Sequence, residues 1–345
     1  MSAILEVEGL SKYFPVFGGI MRREVGRVYA VDSVSFTLEA GETLGLVGES
    51  GCGKSTLARA LVRLYEPDAG RVRFKGEDFL ALERADLKRA RADMQMVFQD
   101  PYASLNPRMS IGRTLEEPLK LHGIGTPAER RTKVLALLQR VGLREDAYDR
   151  FPHEFSGGQR QRVGIARAIA LEPKVVICDE PVSALDVSIQ SQVLNLLREL
   201  QRELGLTYIF ISHDLAVVRY ISDRVAVMYL GRIVELAETE DLYAGPRHPY
   251  TQALLASLPQ PDPSQRGRAA PLEGDVPSPQ NPPAGCHFHT RCQHAVDRCR
   301  SEVPALVQLS DNPKHKVACH LVHSGDLPTP PSPSPAVDQA KDTQA

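Results

Sequence analysis

Gly48-Glu49-Ser50-Gly51-Cys52-Gly53-Lys54-Ser55-Thr56 fits G-x-x-x-x-G-K-[ST] at every fixed position, the pattern of a loop that cradles the phosphates of a nucleoside triphosphate. Its chemistry is that of charge. Backbone N–H groups and the N-terminus of the following helix surround the phosphates, Lys54 brings a point charge to the β and γ oxygens, and Ser55 ligates Mg²⁺. A second run, Val175-Val176-Ile177-Cys178-Asp179-Glu180, ends an apolar stretch on two adjacent carboxylates. Where a strand stops, such neighbours can take separate tasks, Asp179 on Mg²⁺ and Glu180 on an attacking water. His213 follows another apolar run, and Gln99-Asp100-Pro101 taken alone reads as a turn.

The elements that must hold these residues are legible around them. Leu44, Leu46 and Val47 form a short apolar run before the glycine loop, and Thr56 to Leu64 after it reads as a helix. Leu5–Val7 and Val34–Leu38 alternate like half-buried strands, and Arg71–Phe74 and Gln95–Phe98 read as further short strands. From Pro101 to Arg162 the period is helical, clearest in Val134, Leu135, Leu137, Leu138 and Val141, with Gly142 placed as a stop. Then come strands at Lys174–Cys178, Thr207–Ser212 and Val225–Met228, with an amphipathic helix over Val187–Leu204. Strands alternating with helices predict an α/β fold with a parallel core.

The 345 residues carry 41 basic and 43 acidic side chains, a formal net charge of −2, so no whole-chain electrostatic footprint for nucleic acid exists. Met1 to Leu10 includes Glu6 and Glu8 and lacks a basic segment followed by an apolar one, unlike a secretory signal. No run approaches the ~20 apolar residues that cross a bilayer. A cytosolic chain follows, with membrane association through a partner and no structural disulfides among its six cysteines. Pro259 to Pro283 holds eight prolines among polar residues and predicts a linker or extended wrap over 259–284. A short module containing Cys286, Cys292, Cys299 and Cys319 occupies 285–322, and the Pro-, Ser- and Thr-rich tail over 323–345 predicts disorder.

Phe155-Ser156-Gly157-Gly158-Gln159, together with the glycine loop, Asp179-Glu180, Ser183-Ala184-Leu185-Asp186, His213 and Gln99 in this order, resembles an ATP-binding cassette. The likeness spans Ile4 to Pro259. Phe155 stands where the family's signature normally has Leu. The resemblance implies a cassette over 1–258, with a RecA-like parallel core, an antiparallel β subdomain and a helical signature subdomain at about 101–165. It further implies ATP and Mg²⁺ as ligands and Glu180 as general base. Gln99 would sense Mg²⁺ and the water, His213 would contact the γ-phosphate, and Asp186 would sit in a loop that communicates across the dimer. Ser156 to Gln159 would serve the partner subunit's ATP: Ser156 can cap the helix it begins, and the two glycines let backbone N–H groups approach a phosphate. For the aromatic that stacks on adenine the alignment favours Phe14, with Tyr13 and Tyr29 as alternatives and packing in the first sheet as the other reading. Arg22, Arg23 and Arg27, in an insertion over 16–28, read as a solvated loop.

Gln99 to Pro107, Asp179 to Ser188 and His248-Pro249-Tyr250-Thr251 are similar to the ATP-binding subunits of bacterial dipeptide and oligopeptide importers, specifically the second ATPase of the peptide and nickel importer family. This implies a heterodimer with a homologous ATP-binding subunit, two membrane-spanning permease subunits docking just after Gln99, an extracytoplasmic peptide-binding protein, no nucleic acid, and a peripheral place on the cytoplasmic face of the inner membrane. Nickel, glutathione and opine importers use similar subunits. The runner-up class is a cassette ATPase acting on nucleic acid, with the cysteines as a zinc finger. Several members of the importer group carry a [4Fe-4S] cluster on four cysteines after the His-Pro-Tyr segment. The spacing C-x5-C-x6-C-x19-C leaves a cluster, zinc or unmetallated thiols open, with His287, His289, His294 and His320 as substitute ligands. Cys52 and Cys178 read as small packed residues.

Overall fold

Alternation of apolar and polar residues near the N-terminus produces one long hairpin. In the computed structural model, which describes residues 3–19, 22–257 and 274–326, β1 (Ala3–Gly18) pairs antiparallel with β2 (Arg23–Glu39), from Ala3 opposite Glu39 to Gly18 opposite Arg23. The insertion over 16–28 extends this hairpin, so the expected solvated loop is corrected to strand for Arg23 and Arg27. Strand pairing satisfies backbone groups that a loop would leave to water; Arg22 alone stays in the turn, at φ 46°. The hairpin joins β4 (Ala69–Phe74) and β5 (Glu77–Asp78) in a sheet of order β2-β1-β4-β5. Leu5, Val7, Leu38, Val72 and Phe74 are among its buried side chains, clustered with those of α1 (Lys54–Leu61).

In the second sheet β6 (Met94–Val97), β7 (Val175–Asp179), β8 (Thr207–Ile211), β3 (Thr43–Val47) and β9 (Arg224–Tyr229) lie side by side in that order, all parallel. Strands covered on both faces read as unbroken apolar runs, which is why the sequence shows them. Helix α2 (Arg84–Asp93), with no buried residue, leads into β6. The helical insertion consists of α3 (Ile111–Leu121), α4 (Pro127–Arg140) and α5 (Gly157–Ile169). Thr126 and Glu129 form a capping box at the start of α4, Pro127 takes its first position, and Gly142 follows its end at φ 73°. Helix α6 runs over Val187–Leu204, the span the sequence predicts.

Past β9 the chain departs from the expected layout. After α7 (Leu215–Ile221) and β9, strand β10 (Arg232–Glu238) turns antiparallel. Two short helices, α8 (Thr239–Ala244) and α9 (Pro249–Ala256), follow. The cysteine module contains α10 (Asp297–Ser301), β11 (Val307–Gln308), β12 (Lys316–Val317) and α11 (His320–Ser324). Strand β12 pairs with β10, Glu235 opposite Val317, and β11 with β12. The module therefore lengthens the core sheet. Tyr29 N–H donates to Pro279 O at 2.9 Å, so the described end of the proline-rich stretch is an extended wrap. Residues 258–273 of that stretch and the tail beyond 326 lie outside the described residues.

Candidate active site

Strand register brings the candidate catalytic side chains together. Val97 lies opposite Cys178, and Asp179 opposite Ile211, so Gln99, Glu180 and His213 each leave neighbouring strand ends one or two residues on. Gln99 Nε2 donates to Glu180 Oε2 at 3.0 Å, and His213 Nδ1 lies 3.2 Å from the same oxygen. Glu180 is held in the left-handed region at φ 46°, and its N–H donates to Ile211 O at 3.0 Å. A non-glycine residue persists there only when its surroundings impose it, and such outliers gather at functional sites.

The glycine loop leaves β3 at the same end of the sheet, where open α/β sheets bind ligands. Lys54 Nζ lies within the loop's own curve, donating to Gly48 O at 2.7 Å and Glu49 O at 3.0 Å. Glycine is demanded by close backbone approach at two positions. A Cβ at Gly48 (φ 151°) would stand 2.1 Å from Met228 O, and one at Gly53 (φ 107°) 1.9 Å from Ala30 O. Ser55 Oγ donates to Asp179 Oδ1 at 2.7 Å, which ties the loop to the carboxylate pair. Asp179 is fully buried, its carboxyl pushed up by burial, and its Oδ2 has no hydrogen-bond partner; Arg59 approaches only to 3.9 Å. A buried, half-satisfied carboxylate beside a serine hydroxyl fits Mg²⁺, which takes one or two protein oxygens and leaves the rest to phosphate and water.

Ser156 begins α5 with a capping box: Gln159 N–H donates to Ser156 Oγ at 3.3 Å, and Ser156 N–H to Gln159 Oε1 at 3.0 Å. Phe155 is 4% exposed, a core residue under the Arg150 guanidinium at 4.4 Å. A Cβ on Gly158 would meet Ile189 of α6 at 2.4 Å, and Asp186 caps α6 by accepting from Ile189 N–H at 3.0 Å. No hydrogen bond among the described residues links Ser156–Gln159 or Asp186 to the glycine loop. Phe14 packs edge-on against Tyr65, centroids 5.2 Å apart, beneath Lys12 Nζ, and Tyr13 pairs with Tyr29 at 4.9 Å; neither arrangement ties an aromatic to the loop.

Residues 31–183 match the family model described as ABC transporter, and residues 234–299 the model described as oligopeptide/dipeptide transporter, C-terminal region. The oligopeptide transport ATP-binding protein AppF of Bacillus subtilis is 55% identical over 321 residues, covering 92% of this chain and 97% of that relative. The chain belongs to the ABC transporter family. The dipeptide transport ATP-binding protein DppF of Haemophilus influenzae is 53% identical over 308 residues, covering 89% of this chain and 94% of that one. Among solved structures, a dimeric post-hydrolysis state of the cassette MJ0796 bound to ADP and Pi aligns with TM-score 0.61 and 28% identity, over 68% of this chain and 98% of that one.

Beyond the nucleotide motifs, this ABC transporter chain places Cys286, Cys292, Cys299 and Cys319 around one small cavity, walled by Pro249, Phe288 and Leu321 with His289 and His320. Burial pushes the Cys286 thiol up to about 12 and Cys292 to about 11, and raises Cys319. Four thiols and apolar walls suit a cluster's donor set. About 10 Å³ is free beside them, about one water's space, and no group of three or more His, Cys, Asp or Glu among the described residues stands ready to hold a metal ion. The four thiols converge, and no formed metal site for the expected cluster or zinc is present among the described residues. His287 Nδ1 faces Leu230 O at 3.1 Å and His294 is exposed, and neither lines the thiol cavity.

Sequence reasoning missed Tyr250 and Arg291. Tyr250 is fully buried on α9, and its hydroxyl accepts from Glu49 N–H at 3.0 Å. Arg291 donates to both Glu49 oxygens, at 2.8 and 3.2 Å. The His-Pro-Tyr run was visible, and its physics is local: His248 Nδ1 accepts from Tyr250 N–H at 3.1 Å, Pro249 opens α9, and Tyr250 reaches the loop. Nothing in the sequence near Arg291 points to Glu49.

Proposed function

We propose that this chain is the ATP-hydrolysing motor of an importer of dipeptides or oligopeptides, with residues 1–258 as the cassette and the cysteine module appended to its sheet. The observation that carries this reading is the extent of the likeness: identity of 53–56% to peptide-transport ATP-binding proteins runs past the cassette and across about nine-tenths of the chain. It would work as a heterodimer with a homologous ATP-binding subunit, beneath two permease subunits fed by an extracytoplasmic binding protein, at the cytoplasmic face of the bacterial inner membrane. Supporting a peripheral place, no helix among the described residues is long and apolar enough to cross a membrane. Tyr102, 62% exposed just after Gln99, offers an aromatic to a docking permease.

Lys54 and the loop's N–H groups bind the triphosphate, with Phe14 as the stacking candidate for the base. Ser55 and Asp179 would hold Mg²⁺, with Gln99 near it; the bound ion supplies positive charge to the β and γ oxygens. Glu180 Oε2, oriented by Gln99 and His213, takes the proton of the attacking water as its oxygen bonds to the γ-phosphorus and the bond to ADP breaks. No hydrogen bond among the described residues ties the Ser156–Gln159 helix start or Asp186 to this chain's own loop, which leaves them free to act on the partner's ATP. In the assembled complex, Glu180→Gln should retain ATP binding and lose turnover by at least about 100-fold; retained hydrolysis refutes the assigned base. Uptake of labelled dipeptides and oligopeptides, set against nickel, decides the cargo.

For the four thiols a [4Fe-4S] cluster is the reading their convergence on one apolar cavity supports, provided their segments part to admit it. Protein purified anaerobically should contain about four irons and as much acid-labile sulfide per chain. Colourless protein with about one zinc, or with four alkylatable thiols, would refute it.

A further inference from the structure

Glu49, the second residue of the phosphate loop, is held from three directions. Its carbonyl accepts from Lys54 Nζ inside the loop. Its N–H goes to the Tyr250 hydroxyl, and its carboxylate takes a two-point hydrogen bond from Arg291. Arg291 stands 242 positions later, directly before Cys292 in the C-terminal module. Its side chain is 5% exposed, against 26% for Glu49, and its guanidinium lies 5.9 Å from the Tyr229 ring centroid. Two-point guanidinium–carboxylate pairs fix direction as well as charge, and one this buried is screened by salt far less than a surface pair. The carboxylate sits in a loop that must receive a polyanion. Left without its cation, Glu49 would repel the phosphates and swing free of the geometry that the Tyr250 contact sets.

We propose that Arg291 is a positioning residue for ATP binding: by neutralising and fixing Glu49, the C-terminal module sets the phosphate loop's affinity for a triphosphate from outside the cassette. This rests on the loop binding ATP. The coupling would make the module part of the nucleotide site in every member that keeps both partners of the pair.

The test is a double-mutant cycle on the full-length chain, read as the Kd for a fluorescent ATP analogue, with urea melts recording stability alongside. Arg291→Ala should weaken binding about ten-fold in the wild-type background, the scale of one charge-assisted contact. In a Glu49→Gln background the same change should move the Kd by no more than about two-fold, because no carboxylate remains to be neutralised. An equal loss in both backgrounds would mark a general effect on folding and overturn the proposal, as would no loss in either. Arg291→Gln, which keeps side-chain volume and removes the charge, gives the same comparison if the alanine variant does not fold. A wild-type chain that binds no analogue would sink the ATP-binding reading as well, so the two failures are told apart.

Discussion

Acid should weaken this protein through one buried imidazole. His248 is 1% exposed, caps α9 through its Nδ1, and has its pKa held down from 6.5 to about 4 by burial, with Glu235 pulling more weakly the other way. In the unfolded chain the ring takes a proton near 6.5; in the folded chain it stays neutral until about 4. Between those values the unfolded state binds more protons, so the stability is full above the upper value and is lost as pH falls toward the lower. One pKa unit corresponds to about 1.4 kcal/mol, so the whole window is on the order of 3 kcal/mol, and the interval from pH 7 to pH 5 about 2 kcal/mol once partial protonation at each end is included. Urea melts of wild type and His248→Asn at both pH values measure this, since asparagine keeps a capping oxygen and does not titrate. Titrating groups that do not interact with His248 remain in both proteins and cancel. Wild type should lose about 2 kcal/mol more than the variant over the interval; parallel losses would refute the argument.

Three further outcomes follow from the geometry. Gly53→Ala puts a Cβ against Ala30 O in a backbone conformation hostile to side chains and should weaken ATP binding about 100-fold, measured by titration with the fluorescent analogue; binding within a few-fold of wild type would show that the loop can shift. Tyr250→Phe strands the Glu49 N–H and should weaken the same binding roughly five-fold, an effect absent if water replaces the hydroxyl. Ser156→Ala breaks the α5 capping box and should cost about 1 kcal/mol in a thermal melt while lowering turnover of the assembled complex; an unchanged melting temperature would mean the cap carries no stability.

The parallel strands and α6 were legible because their burial on two faces or one leaves a pattern within the segment itself. Leu44–Val47, Val175–Cys178 and Val187–Leu204 needed no distant partner to be read. The hairpin over 16–28 was not, since Arg22, Arg23, Glu24 and Arg27 obscure alternation that only the pairing with β1 makes regular. Strands β11 and β12 are two residues each, shorter than any periodicity test can register. For the site, motif residues named themselves, and Gln99, Glu180 and His213 meet at one oxygen. Arg291 could not be named, because its meaning lies in a contact across 242 positions. The cysteines were legible as a set, and the structure gathers them around one cavity; what they hold was not legible, since spacing along the chain does not give the distance between thiols.

The pairing of β12 with β10 bears on how this protein can be cut. A chain ending before residue 307 would leave the seven-residue β10 with one side unpaired, and would strip the buried Glu235 of His315, whose Nε2 lies 2.6 Å from it. Open strand edges recruit strands from other molecules, and a lone buried carboxylate draws in water or a proton. Expression trials of the cassette alone would then yield insoluble material for a reason unrelated to nucleotide chemistry, so any minimal fragment, fusion junction or crystallisation truncation belongs beyond residue 326.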